Sequence, residues 1–559
     1  MKKYPSLDKL FKPLYTDSII SEFSSPSIRL EHFYRHVQIS KNSKLKGSKI
    51  RIKCPKMTHF VLKLFEFDLI SAFGDEDELY NPGQKGFSIK WLSKMKHLFR
   101  LELYLTDLEV LDVRTEFLAK ILTPLKNLNS LVIYCGGRVA TDKALFSIIR
   151  SVGKLKNLKE FTFDVTDSTA TKSTIIQVSK TIHCMPKLRK LGIGSGDIKF
   201  ENYEFNYLIK HGLRTVDDLK SFEISLEGRE LTSNYFCKFF SDVIAKWENL
   251  DRLQLFVSYT GLDDTAVLSL AQNALSKMTR LREIELDFGN NDLSDKSIVA
   301  LTENFFSKRT NLRKLNLDMH LTNISDKGLY SLVNDGLANM TNLRELAIAF
   351  PEARVTEFGI NEMISNCISQ QVHLEVLMLD FNYNPRITDK FMAHFAETLV
   401  NLQNLKMLKI SMELTSIMEE GIRRLSELLF NFIELRKLVL SLTGLLLSGD
   451  SVEPLAKAIG RLPYLEYCVL NLSEMNLTNR TITSLFKYGF SMCNNMAYLK
   501  LIMSTTPISN KGVSTILRYY EKMKKIERIL LHAQDTRIIE DFVEQVLREH
   551  EKARVSIKL

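Results

Sequence analysis

One apolar spelling, written fifteen times at a near-constant interval, constrains this chain more than any other feature. Leu98, Leu101, Leu103 and Leu105 set it: a leading apolar residue followed by others three, five and seven places on. It recurs from Leu128, Leu158, Leu188, Leu219, Leu250, Leu281, Leu312, Leu343, Leu374, Leu405, Leu435, Leu465, Met496 and Ile526, at intervals of 30 or 31 residues. Of the 60 positions so defined only Ser195 is polar, which leaves no room for chance periodicity. A fixed period of roughly 20–50 residues belongs to stacked supersecondary units, none of which buries its apolar face alone. Length alone would suggest several globular domains of about 150 residues each. The repeats instead predict one elongated core that grows by adding neighbours.

Each unit divides into two periods. Leu281-Arg-Glu-Ile284-Glu-Leu286-Asp-Phe288 alternates, as a short strand with one buried side does. A polar phrase follows, as in Ser294-Asp295-Lys, Ser325-Asp326-Lys-Gly328, Thr388-Asp389-Lys and Ser509-Asn510-Lys-Gly512. Hydroxyl and carboxylate groups there can accept from the open amides of a helix start. Leu329, Leu332, Val333 and Leu337 then carry helical spacing into the next strand. A strand-turn-helix-turn unit forces successive strands to be parallel, with right-handed crossovers. Helices are wider than the ~4.8 Å strand spacing, so stacking should bend the coil into a horseshoe, with the sheet on the concave face and helices on the convex face.

With this strand spelling and Ser/Thr-Asp-Lys-Gly phrase, residues 98 to about 535 resemble a leucine-rich-repeat protein of the ribonuclease-inhibitor-like type. The resemblance implies an α/β leucine-rich-repeat solenoid and a binding role. The Asn or Cys that such repeats often place just after the strand is irregular here, so a different turn geometry is expected.

The expected boundaries are an N-terminal cap over 1–56, the solenoid over 57–535 and a C-terminal cap over 536–559. Met57, Phe60, Leu62 and Leu64 spell the unit once more, but 41 residues before Leu98. The excess implies a loop insertion near 71–90, where Asp75, Glu76, Asp77, Glu78 and Pro82 lie between Gly74 and Gly86. The acidic run lacks the ligand spacing and closing Glu of a calcium loop, so a solvated loop is expected. Residues 1–47 show no repeat and read as a helical or irregular cap, 538–550 as a helix, and Val555, Ile557 and Leu559 as a closing strand.

No stretch approaches the ~18 uninterrupted apolar residues of a membrane span, and no secretory leader follows the charged start Met1-Lys2-Lys3. Membrane insertion is therefore not expected, and a cytoplasmic location is. The seven cysteines are scattered; Cys135 and Cys468 take inward positions and read as small buried hydrophobes. Asn323, Asn339, Asn471, Asn476 and Asn479 are then chance sequons. A net charge of +10 is moderate for this length and reads as a lysine-rich surface.

Strand residues between the inward ones point to the hollow. Four and six places after each leading residue stand Glu102, Asp164, Glu223, Glu285, Asp287, Asp318 and Asp380, against Lys409 and Lys500. Glu160, Glu283 and Glu345, one row over, would extend the same field. Such a wall favours a basic protein partner. Later strands offer Met378, Met407, Val439, Val469, Tyr467, Tyr498, Ile502 and Leu530, a set able to supply desolvated anchoring contacts. Bases directly after the leading residues, among them Arg189, Arg344, Lys406 and Arg436, can pair with carboxylates on adjacent strands and weaken the field.

Phosphate-cradling loops, zinc-helix spacings, paired cysteines and nucleophile elbows are missing from the sequence. Gly192, Gly194 and Gly196 alternate along a strand and open no helix, which suggests a bare patch where a partner approaches the backbone. His320 and His532 reach outward places and read as surface histidines. No catalytic site, metal or cofactor is expected. The reading is a non-catalytic scaffold that holds a protein partner, with a basic one favoured, on its concave sheet. The alternatives are a GTPase regulator similar to the Ran GTPase-activating family and a binder of nucleic acid or acidic surfaces through convex lysines. Nucleic acid is the less expected, because aromatic groups are not interleaved with the bases.

Overall fold

A computed structural model describes residues 36–39, 59–65, 93–106, 118–135, 141–166, 168–199, 201–227, 231–447, 451–549 and 555–559. The loop expected near 71–90 and most of the 1–56 cap lie outside them. The chain forms two compact units, 1–291 and 292–559.

In the first unit the strands are β1 His36–Ile39, β2 His59–Phe65, β3 Arg100–Thr106, β4 Ser130–Tyr134, β5 Glu160–Asp164, β6 Lys190–Lys199, β7 Ser221–Glu227, β8 Arg252–Phe256 and β9 Glu283–Asp287. Each pairs in parallel with the next. β1 stands inside a segment expected to be helical or irregular; its pairing to Val61–Leu64 extends the sheet by one strand that the apolar spelling does not mark. In the second unit β10 Lys314–Asp318, β11 Glu345–Ala349, β12 Val376–Asp380, β13 Met407–Ser411, β14 Lys437–Ser441, β15 Tyr467–Asn471, β16 Tyr498–Ile502, β17 Arg528–His532 and β18 Val555–Lys558 do the same. Each unit is thus a parallel strand-and-helix repeat of the leucine-rich type.

The inward positions fill the space between sheet and helices: Leu315, Leu317, Leu346, Leu377 and Leu408 are fully buried, as are Leu329, Leu332, Val333 and Leu337 on the helical side. Ser195, the one polar intruder, is buried and donates its hydroxyl to Ser225 O at 2.8 Å. Around Trp247 the core is aromatic; its indole N–H donates to Val216 O at 2.6 Å and its ring meets Phe222. Helices begin where the polar phrase predicts, at Asp295, Asp326, Asp389 and Asn510, with Ser294, Ser325, Thr388 and Ser509 at the cap.

The phrase does more than cap its own helix. Asp295 accepts from the backbone N–H and hydroxyl of Ser325, the next cap, at 2.8 and 2.7 Å. Asp326 does the same for Thr356 at 2.7 and 2.5 Å, while Asn479 accepts from Ser509 N at 3.0 Å and donates its Nδ2 to the Ser509 hydroxyl at 2.8 Å. The glycine three places into the following helix makes room for this side chain. A Cβ on Gly328 would lie 2.6 Å from Asp295 Oδ1, and one on Gly512 3.0 Å from Asn479 Oδ1. Ser, Asp and Gly are therefore one repeat-to-repeat joint.

The turn after each strand departs from the Asn-bearing form. Nine places after the leading residue, Tyr259, Asn290, Leu321, Glu352, Tyr383, Leu414, Glu474, Thr505 and Asp535 all have φ between 51° and 59°. This left-handed backbone costs a residue with a Cβ about 1–2 kcal/mol. It aims the N–H at the neighbouring repeat: Leu321 donates to Pro351 O, Tyr383 to Glu413 O and Glu474 to Ser504 O, at 2.9, 2.8 and 2.9 Å. At the next place Thr260, Thr322, Thr415, Thr506 and Thr536 return their hydroxyls to the carbonyl three residues back, at 2.6–3.0 Å. At this place an asparagine serves the turn at Asn291, which accepts from Thr260 N and Leu262 N, and at Asn384, which donates to Val355 O and accepts from Arg386 N.

Candidate functional site: the strand face turned away from the core

The alternation that sends Leu and Ile inward sends the residues two, four and six places after each leader to the opposite face. Access to that face changes along the chain. On β8 to β11 only the first residue is partly accessible; on β14, β15 and β16 every second residue is, and likewise on β17.

In the first unit Glu102 and Glu160 share the Arg100 guanidinium at 2.8 and 3.3 Å. Glu283 and Glu285 share Arg252 at 3.5 and 3.2 Å, and Glu285 also accepts from Gln254 at 2.8 Å. Asp164, Glu285 and Asp287 are buried; Glu102, Glu223 and Glu283 are partly accessible. In the second unit Lys314 lies 3.5 Å from Glu345. Asp318, Asp380 and Lys409 are all buried. Burial pushes the Asp380 carboxyl up to about 7, with Asp318 adding to the rise. The same loss of water lowers Lys409 to about 8, against the pull of Asp380, Asp318 and Glu413.

The aspartates six places on have a local role that alternation alone does not reveal. Asp164 accepts from Thr166 N, Asp287 from Gly289 N, Asp318 from His320 N and Asp380 from Asn382 N, at 2.9, 3.3, 2.9 and 3.0 Å. Each bends the chain out of its strand through an Asx turn, as Asn471 does with Ser473 N at 3.2 Å. The sequence signal is present: Asp or Asn two residues before the turn.

Three expectations need correction. His320 is not a surface histidine; it is buried, with Nδ1 3.0 Å from Asp318 Oδ1, because the Asx turn folds it back over its own carboxylate. The glycines of β6 do not leave a bare patch: a Cβ on Gly192 would lie 2.9 Å from Thr162 Cγ2 and one on Gly194 2.6 Å from Asp164 Oδ1, so β5 side chains occupy that space. The bases next to the leading residues pair, but not with the acidic rows. Arg189 meets Asp218, Arg344 and Lys406 both meet Glu375 at 2.7 Å, and Arg436 meets Glu466 at 2.9 Å, along the strand starts. Residues one place further on, Arg100, Arg252 and Lys314, hold the acids.

The accessible stretch carries different chemistry. Tyr467 and Tyr498, in register on β15 and β16, stack with centroids 4.5 Å apart and planes 4° from parallel. Val439, Val469, Ile502 and Leu530 share their face and are partly accessible. Of the sequence-predicted residues, the structure thus brings together Tyr467, Tyr498 and Ile502 in one patch. It places Asp318 and Asp380 around Lys409 in a separate buried cluster.

No family model matches the chain, and no curated protein does. Among solved structures it is similar to the yeast Rad7 and Elc1 complex at 14% identity, with 74% of this chain and 79% of that chain covered and a TM-score of 0.39. It is also similar to a leucine-rich-repeat protein of Leptospira interrogans at 17% identity, with 83% and 91% covered and a TM-score of 0.29. No described helix is long and apolar enough to cross a membrane.

Proposed function

We propose that the protein is a non-catalytic scaffold of the ribonuclease-inhibitor-like type that holds another protein on the strand face opposite its helices. The observation that carries this reading is the clean alternation of access on β14 to β17, where aromatic, aliphatic and charged side chains reach solvent from rigid, hydrogen-bonded strands. Side chains fixed on strands lose little freedom on binding, and aromatic ones make strong anchors. In the second unit the partner contacts are Tyr467, Tyr498, Ile502 and the accessible acid Glu345, and in the first unit the accessible acids Glu102, Glu223 and Glu283. Asp164, Glu285, Asp287 and Asp318 act through their field, to which Asp380 adds only where pH exceeds its raised pKa of about 7. A basic partner surface opposite these acids follows from the same charges. The one described His–carboxylate pair, His320 with Asp318, is buried in the turn, so it favours a structural role. Free cysteines, four of the six described being buried, fit a reducing compartment such as the cytoplasm.

The test starts from a partner isolated on the immobilised chain and identified by mass spectrometry, then titrated by calorimetry. Glu283 and Glu345, with side chains 41% and 38% exposed, tolerate reversal without burying charge. Glu283→Lys with Glu345→Lys should weaken a basic partner at least tenfold in low salt. Unchanged affinity in a folded double variant refutes the acidic face as the contact surface.

A further inference from the structure

The accessible end of the second unit has the opposite polarity to the acids just described. In the rows two, four and six places after each leader, β14 to β17 carry Lys437, Lys500 and Arg528, Lys558 of β18 pairs with His532, and among the described residues of these rows none is a carboxylate. The imidazole of His532 reports the same field. Its pKa lies below the ordinary value, first because it is partly buried and then because Lys500 and Lys558 stand near it.

The register arranges these groups. Lys437, Tyr467, Tyr498 and Arg528 are direct neighbours across β14 to β17, so a stacked aromatic pair is bracketed by two bases. At about 4.8 Å per strand the row spans roughly 14 Å, the length of about four extended residues at ~3.4 Å each. The next row repeats the alternation of character: Val439 and Val469 together, then Lys500, then Leu530.

We propose that this face of β14 to β17 takes an acidic segment of a partner protein, with two carboxylates about four residues apart and apolar side chains between them. The inference rests on the reading that the strand face is the binding surface, and it names the chemistry of one part of it. The carboxylates meet Lys437 and Arg528, while the apolar side chains lie on Tyr467, Tyr498 and the aliphatic row. A protein segment fits better than a nucleic acid for a geometric reason. The tyrosine rings stack on each other rather than standing open to bases, and the floor beside them is aliphatic.

The test pans phage-displayed random 12-residue peptides against the full chain and against Lys437→Glu/Arg528→Glu. Both residues are partly or fully accessible, so the variant should keep the wild-type circular-dichroism melt. Enriched peptides should carry paired acids with apolar residues between, and a synthesised representative should bind the variant at least tenfold more weakly and lose affinity as salt rises. Enrichment of neutral or basic peptides, no enrichment, or equal binding to the variant overturns the proposal. A twelve-residue deoxythymidine strand that binds more tightly than the best peptide overturns it in favour of nucleic acid. Concentration-dependent self-association abolished by the variant overturns it in favour of a second copy. Failure of the scaffold reading looks different: no face variant then changes capture of the identified partner. If only this inference fails, Glu283→Lys/Glu345→Lys still weakens that capture.

Discussion

Replacing a glycine by alanine inside an exposed helix normally stabilises it by about 0.5–1 kcal/mol. At Gly359 the sign should invert. The residue sits three places into the helix Glu357–Asn366, and a Cβ there would lie 2.9 Å from Asp326 Cγ and closer still to Oδ1. That carboxylate cannot withdraw cheaply, because it accepts from Thr356 N and Thr356 Oγ1 at 2.7 and 2.5 Å. Overpacking of this kind costs about 1–3 kcal/mol, so Gly359→Ala should lose about 1–2 kcal/mol net. Asp326→Ala alone removes both bonds to a charged acceptor at a partly accessible site, a loss of about 2–3 kcal/mol. With Asp326→Ala in place the added methyl finds vacated space, and Gly359→Ala becomes neutral or stabilising. The cycle should therefore show a coupling of about 1–3 kcal/mol, above the additivity expected of independent sites. Whole-chain melts of a long repeat array are not two-state, so the readout is hydrogen exchange of the helix amides from Ile360 to Ile364. Gly359→Ala should speed their exchange about 5–30-fold, which is what 1–2 kcal/mol gives. Slower exchange in that variant, or the same effect with and without the Asp326 carboxylate, refutes the interlocking joint.

Further outcomes test other parts of the structure. Leu317→Asp places a charge at a fully buried core position and should abolish cooperative folding of the second unit, and a far-ultraviolet circular-dichroism melt like wild type contradicts the inward assignment. Asp380 carries a pKa raised from 3.8 to about 7 in the folded chain, so the native state binds the extra proton and stability is lost as pH rises through that window. Asp380→Asn keeps the acceptor for Asn382 N and should raise the denaturation midpoint at pH 7.5, with the gain shrinking as pH falls toward 4; a pH-independent effect contradicts the burial argument. Lys409, lowered from 10.5 to about 8, works the other way: the stability it contributes is present above 10.5 and lost as pH falls through 8, so Lys409→Met should stabilise most below pH 8. Glu474→Gly relieves a left-handed residue at φ 58° and should stabilise by up to about 1 kcal/mol, whereas destabilisation in a chemical melt argues that the side chain holds the turn.

How far the sequence could be read follows from which interactions are periodic. The strands, their faces and the helix starts were legible because each rests on a residue type recurring every 30 or 31 positions. The joint between repeats was half legible. Ser and Asp announced a cap, but nothing in one phrase says that Asp326 serves Thr356 of the next unit, since that depends on the stacking distance. The post-strand turn departs from the Asn-bearing form, as the irregular asparagine implies, but the sequence does not say what takes its place. Its replacement was periodic too: a left-handed residue whose identity varies from Tyr259 to Asp535 leaves no compositional trace, while the threonine after it does. β1 breaks the apolar spelling and is defined only by its pairing to β2, so the sequence does not mark it.

For the candidate site, alternation assigns each residue to a face but not its exposure. Alternation fixes the side to which Asp287 or Asp318 points, but whether water reaches it depends on the neighbouring strands ~4.8 Å away. Where those neighbours are long or turned back, as Arg252 is over Glu285 and His320 over Asp318, the carboxylates are enclosed. They then spend their hydrogen-bonding capacity on the turn and on each other's counter-charges. Where the neighbours are valine, serine and stacked tyrosine, every second residue stays open. The acids that look most like a binding wall in sequence are therefore better placed to hold turns, and on the proposed scaffold reading the contacts fall to Glu283, Glu345 and the tyrosine patch. That division makes a single prediction about mechanism. Reversing an accessible acid should alter association rate and its salt dependence, as a charge at an interface rim does, whereas losing the Tyr467 or Tyr498 ring should alter dissociation. If both classes of substitution move the same rate constant, field and contact are not separable on this face.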